Sequence, residues 1–328
     1  MTVHLTFEAV EEAAPGAVWR SLFERHWPRY RPWFLHEGER ARASYAECAR
    51  TLRQHMPELV PTWERLCELA GGGDLEARML SMWRPPSFLS GCSQGVWTPG
   101  APVLVRNYDY APKRFEGTIL STAWEGRRVM GTSDCLWGLL DGVNDAGLAV
   151  SLAFGGRPVV GEGFGIPVVL RYLLQTCATV VEAREVLARL PYHLAHTLTV
   201  VDRSGDVVTA YLSPDRGALF SDARIATNHQ GEVEWHEHAR ATRTLERERA
   251  IGAALATSGD PDAFADAFLR PPIFSDAYAS GMGTLYTAVY DVVRGTVAYR
   301  WPGYTWEHSF ERFRPGIRVV GLVESSAA

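Results

Sequence analysis

The segment Ser90-Gly91-Cys92-Ser93 places a thiol directly after a glycine, at the predicted start of a β-strand. A thiol has a pKa of about 8.5 and an α-amine one of about 8, so a neutral amine can accept the thiol proton at neutral pH. Cys92 carries both groups only if the peptide bond between Gly91 and Cys92 is cut. Glycine also tolerates the backbone angles of a strained peptide that rearranges to a thioester. The segment therefore predicts a cysteine nucleophile that is activated by its own amine.

The residues that follow Cys92 predict a β-hairpin that returns two charged side chains to it. A Pro-Gly turn separates two short apolar segments, as in a hairpin. Antiparallel pairing around that turn sets Cys92 and Ser93 opposite Arg106 and Asn107, with a register uncertainty of about two residues. Asp109 then lies just past the end of the partner strand. We therefore expect Arg106 and Asp109 to flank the backbone of Cys92.

The other cysteines and the histidines form no metal-binding pattern. The five cysteines are odd in number, scattered and without a C-x-x-C pair, which argues against both a zinc framework and a disulfide scaffold. Two histidine pairs are spaced H-x-x-H and H-x-H, but neither has a carboxylate or cysteine nearby at ligand spacing. These pairs are His193 with His196, and His236 with His238. We therefore expect neither a metal nor another cofactor.

Composition excludes several classes of function. The 328 residues include 33 basic and 38 acidic ones, a net charge of −5, and no run of arginines forms a stripe, so nucleic acid is not an expected partner. Lys113 is the only lysine, which leaves one position for Schiff-base chemistry. No apolar run approaches the roughly 18 residues of a membrane span. Glu8, Glu11 and Glu12 stand where a signal peptide would be basic and then apolar, so we expect a cytoplasmic protein without a membrane partner.

The elements that must position these residues change character near residue 90. Before it, apolar residues recur at helical spacing, so residues 1–91 are predicted to form a mainly helical segment. Residues 92–328 are predicted to form the catalytic domain, in which paired strands alternate with blocks of helix. A single charged helix is expected from about 239 to 256. This order indicates an α+β protein rather than a parallel βαβ sheet.

Five segments, in matching order and spacing, resemble the isopenicillin-N acyltransferase family (acyl-coenzyme A:6-aminopenicillanic acid acyltransferases) of N-terminal-nucleophile hydrolases. The likeness to the bile-salt and penicillin V amidases is more distant. The matching segments are Gly91-Cys92-Ser93, RNYD at Arg106 to Asp109, DGVNDAGLAVSLAF at Asp141 to Phe154, VVDRSGDVV at Val200 to Val208, and TNH at Thr227 to His229. The likeness covers roughly residues 50–300. Asn144 and Gly147 within it are typical turn formers.

The resemblance implies a four-layer αββα sandwich of antiparallel sheets and a set of site residues. Cys92 would be the nucleophile and its freed α-amine the general base, both positioned by Arg106 and Asp109. The side chain of Asn228 and the backbone N–H near Phe154 would form the oxyanion hole. An amide donor suits that role because it carries no charge.

A family arginine follows the TNH segment and corresponds to Arg243 or to Arg240. The two stay open, because the serine that precedes this arginine in the family is missing. Ser93 stands where the family often has threonine. Four aromatic residues near the start, Trp27, Tyr30, Trp33 and Phe34, are expected to pack in the core, with the lining of an acyl pocket as the alternative.

The predicted function is transfer of the acyl group of a small N-acyl amide to Cys92, after the chain has cut itself between Gly91 and Cys92. The acyl group would leave to water, or to an acceptor such as an amine; an acyl-coenzyme A is a further candidate partner. The two cleaved chains would be each other's partners, and a homo-oligomer is a further prediction. One alternative is a Cys/His enzyme that uses His193, His196 or His229. Another is an uncut protein of the same fold that only binds a ligand or partner.

Overall fold

The computed structural model describes residues 2–324, so Met1 and residues 325–328 of the two predicted segments lie outside the described residues. Its strands, numbered in chain order, form two sheets that pack face to face. The first sheet has nine strands: β1 (Thr2–Glu12), β4 (Thr118–Thr122), β5 (Val129–Asp134), β6 (Gly138–Asn144), β7 (Ala149–Phe154), β8 (His196–Val201), β9 (Val207–Ser213), β10 (Arg216–Ser221) and β15 (Gly316–Val323). The second has six: β2 (Gly91–Trp97), β3 (Val103–Tyr110), β11 (Ile225–Ala226), β12 (Gly283–Asp291), β13 (Thr296–Trp301) and β14 (Tyr304–Ser309).

Helices cover the outer faces of both sheets. The helices are α1 (Ala17–Phe34), α2 (Tyr45–His55), α3 (Val60–Leu69), α4 (Asp74–Leu80), α5 (Ile166–Thr176), α6 (Val180–Arg189), α7 (His236–Ala241), α8 (Thr244–Thr257) and α9 (Pro261–Ala267). Helices α5 and α6 pack on the first sheet, and α8 and α9 on the second. The expected α+β class and the four-layer arrangement are confirmed. Within residues 2–324, no helix combines the length and apolar character needed to cross a membrane.

Strand β2 is buried along its whole length because both of its faces are covered. One face meets the first sheet, and the other meets α8 and α9. Gly95 lets β2 approach α9 closely, because a Cβ at this position would lie 2.7 Å from a ring carbon of Phe264. Each large apolar side chain buried in this way contributes about 1.5–3 kcal/mol. The strand that carries Cys92 is therefore held from both sides.

The segment before residue 91 is not helical throughout. Strand β1 lies inside the nine-stranded sheet, parallel to β4 and antiparallel to β15. Leu5, Phe7 and Ala9 point into the core and alternate with more exposed residues, which is the period of a strand. The prediction of a mainly helical segment holds for α1 to α4 and is wrong for β1.

The predicted helix over 239–256 is interrupted. Helix α7 ends at Ala241 and α8 begins at Thr244, because Arg243 between them has a left-handed backbone with φ of 52°. The turn prediction for Asn144 and Gly147 is confirmed. Asn144 Oδ1 accepts the N–H of Leu148 at 3.0 Å, and Gly147 has φ of 87°.

Candidate active site

Strands β2 and β3 form the predicted hairpin with a register one residue away from the predicted one. Cys92 lies opposite Tyr108, and Gly91 lies opposite Asp109. Side chains directly opposite each other in an antiparallel pair point to the same face, so Cys92 shares its face with Tyr108 and with Arg106. Asp109 lies inside the ladder rather than past its end. Its side chain points to the other face of the sheet.

The Cys92 thiol is fully buried. Its Sγ lies 3.4 Å from Arg106 Nη2, which donates to it, and 3.7 Å from Ser90 Oγ. Burial raises the pKa of the Cys92 thiol, and the Arg106 guanidinium opposes that rise. In the uncut chain the thiol therefore keeps its proton and needs a base before it can attack.

Arg106 is fixed beside the thiol by a buried polar cluster. Its Nε donates to the Leu152 carbonyl at 3.1 Å, and its Nη1 donates to the Tyr286 hydroxyl at 2.9 Å and forms an ion pair with Asp141. Asp141 also accepts from the hydroxyls of Thr132 at 2.9 Å and Tyr286 at 2.6 Å. Breaking one partner out of such a buried pair typically costs about 3–5 kcal/mol. The positive charge next to Cys92 is therefore rigidly placed.

Asp141 was not among the residues predicted for the site. It is the one charged residue in the otherwise uncharged strand β6, and it is completely buried. A lone carboxylate in a buried strand calls for a partner. That signal, together with the buried Arg106, could have paired the two from the sequence.

Asn228 connects the backbone of Cys92 to the polar groups around it. Its Oδ1 accepts the Cys92 N–H at 2.9 Å and an N–H of Arg247 at 2.7 Å. Its Nδ2 donates to the carbonyls of Ser90 at 3.4 Å and Phe154 at 3.1 Å. The orientation of the amide follows from its partners, since two donors face the oxygen and two acceptors face the nitrogen.

Asp109 and Arg247 form a buried ion pair on the far face of β2 and β3. Arg247 Nη1 donates to Asp109 Oδ2 at 2.5 Å and to Ser93 Oγ at 2.9 Å. The other carboxylate oxygen of Asp109 accepts from Thr284 Oγ1 at 2.6 Å. Because Arg247 also binds Asn228, the pair is joined to the nitrogen of Cys92 through one amide.

Gly91 is needed for space rather than for an unusual backbone angle. Its φ is not in the left-handed region, so the uncut chain does not use the backbone angles that glycine was expected to tolerate here. A Cβ at this position would lie 3.1 Å from the Cβ of Asp109 and 3.4 Å from its Oδ2. A larger residue would push Asp109 away from the ladder and from Arg247.

A cavity of about 470 Å³ opens between α1 and the segment that precedes Cys92. Its lining combines aromatic side chains with polar and charged ones: Arg29, Tyr30, Pro32, Trp33, His36, Ser87, Phe88, Tyr110, Arg114, Asp134 and Cys135. Tyr110 stacks on Tyr108 with 5.5 Å between ring centroids, and Tyr108 lies opposite Cys92. Of the four aromatic residues predicted to pack in the core, Tyr30 and Trp33 line this cavity. All four, including Trp27 and Phe34, lie in the hydrophobic core or pack against it, as predicted.

The end of β5 and the turn between β5 and β6 contribute Asp134 and Cys135 to the lining of this cavity. Cys135 and Leu136 both have left-handed backbones, with φ of 56° and 76°. Their N–H groups donate to the Tyr30 hydroxyl at 2.9 Å and to Glu116 Oε2 at 3.1 Å. The same hydroxyl contacts both Glu116 at 2.8 Å and Asp134 at 2.9 Å, and its one proton cannot serve both. Burial, and then Glu116, raise the pKa of Asp134 to about 7, so it carries a proton below neutral pH.

The histidines proposed as alternative bases, His193, His196 and His229, do not hydrogen-bond the Cys92 thiol. His193 Nδ1 is 2.6 Å from the Gly161 carbonyl, and His229 Nε2 is 3.5 Å from Glu248. The polar partners of Cys92 are Ser90, Arg106 and Asn228, so no histidine within residues 2–324 hydrogen-bonds Cys92. In the same range, no group of three or more histidine, cysteine, aspartate or glutamate side chains is arranged to hold a metal ion.

In a comparison with protein families, residues 96–306 match the family described as "Acyl-coenzyme A:6-aminopenicillanic acid acyl-transferase". That span is more than half of the chain. The chain belongs to this acyltransferase family. A comparison with curated proteins gives no match.

Solved structures similar to this acyltransferase-family chain include three amide hydrolases. A mutant of the conjugated bile acid hydrolase from Clostridium perfringens is 11% identical, with 70% of this chain and 96% of that one covered and a TM-score of 0.46. Penicillin V acylase from Agrobacterium tumefaciens is 15% identical, with 70% and 90% covered and a TM-score of 0.48. The Caenorhabditis elegans N-acylethanolamine-hydrolyzing acid amidase ortholog is 15% identical, with 70% and 99% covered and a TM-score of 0.45.

The two arginines considered for the acyltransferase-family position are not in the cluster around Cys92. Arg243 is exposed and pairs with Glu246 at 2.5 Å, and Arg240 is exposed as well. Arg247, one helical turn after Arg243, is the arginine that the structure brings to Asp109 and Asn228. The sequence signal for it was the buried stripe of α8, which consists of Thr244, Arg247 and Ile251.

Phe154 lies next to Asn228, but through a different group from the one the acyltransferase-family resemblance implies. Its carbonyl accepts from Asn228 Nδ2 at 3.1 Å, whereas a backbone N–H was expected at this place. The next N–H, that of Gly155, donates to the Ala195 carbonyl at 2.9 Å. The structure thus brings together Cys92, Arg106, Asp109, Asn228 and Phe154, and leaves Arg243 at the surface.

Proposed function

We propose that this chain cuts its own backbone between Gly91 and Cys92, and that the freed Cys92 then cleaves or transfers the acyl group of a small N-acyl amide. The observation that carries the proposal is the convergence of Asn228, Arg106 and the Asp109–Arg247 pair on this one peptide bond. A buried set of charges around an ordinary structural thiol would be costly without a function.

In the first step the Cys92 sulfur attacks the Gly91 carbonyl, the C–N bond to Cys92 breaks as the thiol proton passes to the departing nitrogen, and a thioester to the same sulfur forms. Water then hydrolyses the thioester, which leaves the Gly91 carboxylate and a free α-amine on Cys92. Asn228 Oδ1 already lies 2.9 Å from that nitrogen. This contact supports the proposal, because Asn228 would hold the new amine close to the thiol.

In the second step the α-amine takes the thiol proton and the sulfur attacks the carbonyl of the substrate amide. The amine partner then leaves with that proton, and an acyl thioester remains on Cys92. Arg106, fixed 3.4 Å from the sulfur, would stabilise the thiolate. Asn228 Nδ2 would turn from the Phe154 and Ser90 carbonyls to the oxyanion, as predicted for this residue.

The substrate must reach a thiol that is fully buried in the uncut chain. Ser87 and Phe88, a few residues before the cut, line the 470 Å³ cavity. Cleavage turns their segment into a chain end, which is free to move once the bond to Cys92 is broken. We propose that the cavity between Trp33 and Tyr110 is the acyl pocket and that it then opens to Cys92.

The thioester can transfer its acyl group to water or to an acceptor amine, and an acyl-coenzyme A is the further acyl partner that the family suggests. We place the reaction in the cytoplasm, which the free thiols of all five cysteines support. Pairing of the fragments with each other follows from the proposal, and assembly into a homo-oligomer stays a prediction.

Denaturing mass spectrometry on freshly made protein tests the first step. Wild type should give fragments of residues 1–91 and 92–328, whereas Cys92→Ala should stay one chain and hydrolyse no amide. Cys48→Ala, another buried cysteine, is the matched control and should be cut like the wild type. A wild type that stays intact after long incubation would support the uncut binding protein instead.

A further inference from the structure

His196, the first residue of β8, is a buried histidine in which one ring nitrogen forms no hydrogen bond within the described part of the chain. Its side chain is 2% exposed, and Nε2 has no hydrogen-bond partner among residues 2–324. Buried polar groups in folded proteins almost always have a partner, so an exception calls for an explanation. The explanation here comes from where the ring lies.

The chemical state of this ring is fixed by its surroundings. Burial lowers the pKa of His196 to about 3, so the ring is neutral at physiological pH, and a hydrogen bond to the Leu194 backbone opposes that change only in part. A neutral imidazole carries one N–H and one lone pair, and a ring nitrogen that bonds a backbone carbonyl must carry the proton. Assigning the proton to Nδ1 in this way leaves the lone pair on Nε2, which has no partner among residues 2–324.

The ring lies between the two sides of the candidate active site. Its centroid is 6.1 Å from that of Phe154, whose carbonyl binds Asn228, and 6.1 Å from that of Phe88. The next residue, Thr197, accepts through its carbonyl from Gln94, two residues after Cys92. His196 thus lies between residues on both sides of the bond that is proposed to be cut.

Phe88 joins this ring to the cavity. It lines the cavity, and its ring packs against Trp33 on one side and His196 on the other. When the segment that carries Phe88 moves after cleavage, the space it leaves lies between the rings of Trp33 and His196, which Phe88 contacts on its two sides. A flat group that carries a hydroxyl or N–H would fill that space and satisfy the nitrogen.

We propose that His196 is a specificity-determining residue whose Nε2 accepts a hydrogen bond from a hydroxyl or N–H on an aromatic acyl group of the substrate. This inference rests on the proposed function. A purely structural histidine gives a different expectation: replacing it by a phenylalanine would remove an unsatisfied buried group and change stability alone.

The test uses 4-nitroanilides of 3-phenylpropanoic acid that carry a hydroxyl at each ring position in turn, each paired with its methoxy analogue. For the best position, the wild type should prefer the hydroxyl over the methoxy substrate in kcat/KM by about 5- to 150-fold, the usual range for one buried hydrogen bond. His196→Phe should bring that ratio to about one. His196→Gln, which keeps an acceptor near the Nε2 position, should restore part of it.

His308→Phe is the matched control, because His308 is also 2% exposed with an unpartnered Nε2 and lies in β14, away from Cys92. It should leave the ratio unchanged. Equal ratios in wild type and His196→Phe, or no hydroxyl preference at any ring position, would overturn the inference while leaving the proposed function intact. A cut enzyme that hydrolyses none of these anilides would overturn the proposed acyl class. A wild type that stays uncut and inactive would overturn both.

Discussion

The amide of Asn228 meets two different demands with its two ends. Its oxygen holds the nitrogen of Cys92, and its nitrogen faces the Phe154 and Ser90 carbonyls, next to the bond that is proposed to break. The oxyanion carries charge only in the transition state, so the donor end should affect rate far more than affinity.

We expect Asn228→Ala to lower kcat by about two to three powers of ten, with a smaller change in KM. Steady-state kinetics on fully processed enzyme, checked by mass, measures this. An unchanged kcat would show that a group other than Asn228 stabilises the oxyanion.

Arg247 and Arg243 provide a comparison within one helix region. Arg247 is buried against Asp109 and Asn228, whereas Arg243 is exposed and pairs with Glu246. Removing one partner of a buried ion pair costs about 3–5 kcal/mol, so Arg247→Gln should lower the unfolding midpoint and slow self-cleavage. Arg243→Gln should change unfolding free energy by less than about 0.5 kcal/mol. Guanidinium unfolding and a cleavage time course measure both. Similar behaviour of the two variants would contradict the role given to Arg247.

At this scale the sequence predicted the residues around Cys92 but not their connections. The positions of Arg106, Asp109 and Asn228 come from short segments whose order matches a family. Arg247 was missed because its neighbours in sequence give no hint of Asp109, which is 138 positions away. Which charged side chain is buried depends on the face of α8 that packs on β2. The predicted register was also wrong by one residue, which placed Asp109 past the end of the strand, whereas it lies inside the ladder.

Among the elements, the turn between β5 and β6 depends most directly on pH. Asp134 has a pKa of about 7 in the fold, against about 3.9 for an unfolded aspartate. The folded state therefore binds the extra proton between these values, so stability falls as pH rises from about 4 to 7 and stays low above it. The penalty above pH 7 reaches at most about 4 kcal/mol, and less for a carboxyl that solvent partly reaches.

Asp134→Asn should remove this penalty, since the amide carries no charge at any of these pH values. We expect the variant to melt at a higher temperature than the wild type at pH 8, with a clearly smaller difference at pH 5. Melting curves between pH 5 and pH 8 measure it, with the exposed Asp222→Asn as a control that follows the wild type. A wild type whose melting temperature rises from pH 5 to pH 8 would contradict the shift.

Element prediction succeeded where one pattern dominated and failed where a strand was amphipathic. The capping box of Thr179 and Glu182 marks the start of α6, and this spacing of residues is recognisable in the sequence. Strand β1 has a clear alternation of period two, but its acidic residues were considered only as evidence against a signal peptide. The sequence predicted α7 and α8 as a single helix because nothing in it marks the left-handed backbone of Arg243. Glycine or asparagine usually occupies such a position.

For the whole molecule, the position of β1 determines what cleavage would do. This strand belongs to the 1–91 fragment, yet it lies between β4 and β15 of the other fragment. Phe7 packs edge-on against Tyr286, which holds Arg106. We therefore expect the two fragments to elute as one species on native size exclusion and to separate only in denaturant.

A pair of substitutions in β1 tests whether the packing of Phe7 is needed for folding and for cleavage. Phe7→Asp places a carboxylate in the core and should abolish folding or cleavage, since an unpaired buried charge costs several kcal/mol. Thr6→Asp, its exposed neighbour, should be cut and should keep its fragments together. Yield of soluble protein and the cleavage time course compare the two. A Phe7→Asp protein that is cut normally would make β1 dispensable.

The pairing of β1 with β15 also makes a different order of the same chain feasible. Thr2 lies directly opposite Val323, so a short flexible linker can join these two ends without disturbing the sheet. A circular permutant that begins at Cys92, once its initiator methionine is removed, would be made with the α-amine already free. It should be active without self-cleavage, even with Gly91 at its far end replaced by a residue that ordinarily blocks the cut. Such a protein would separate the chemistry of maturation from the chemistry of turnover.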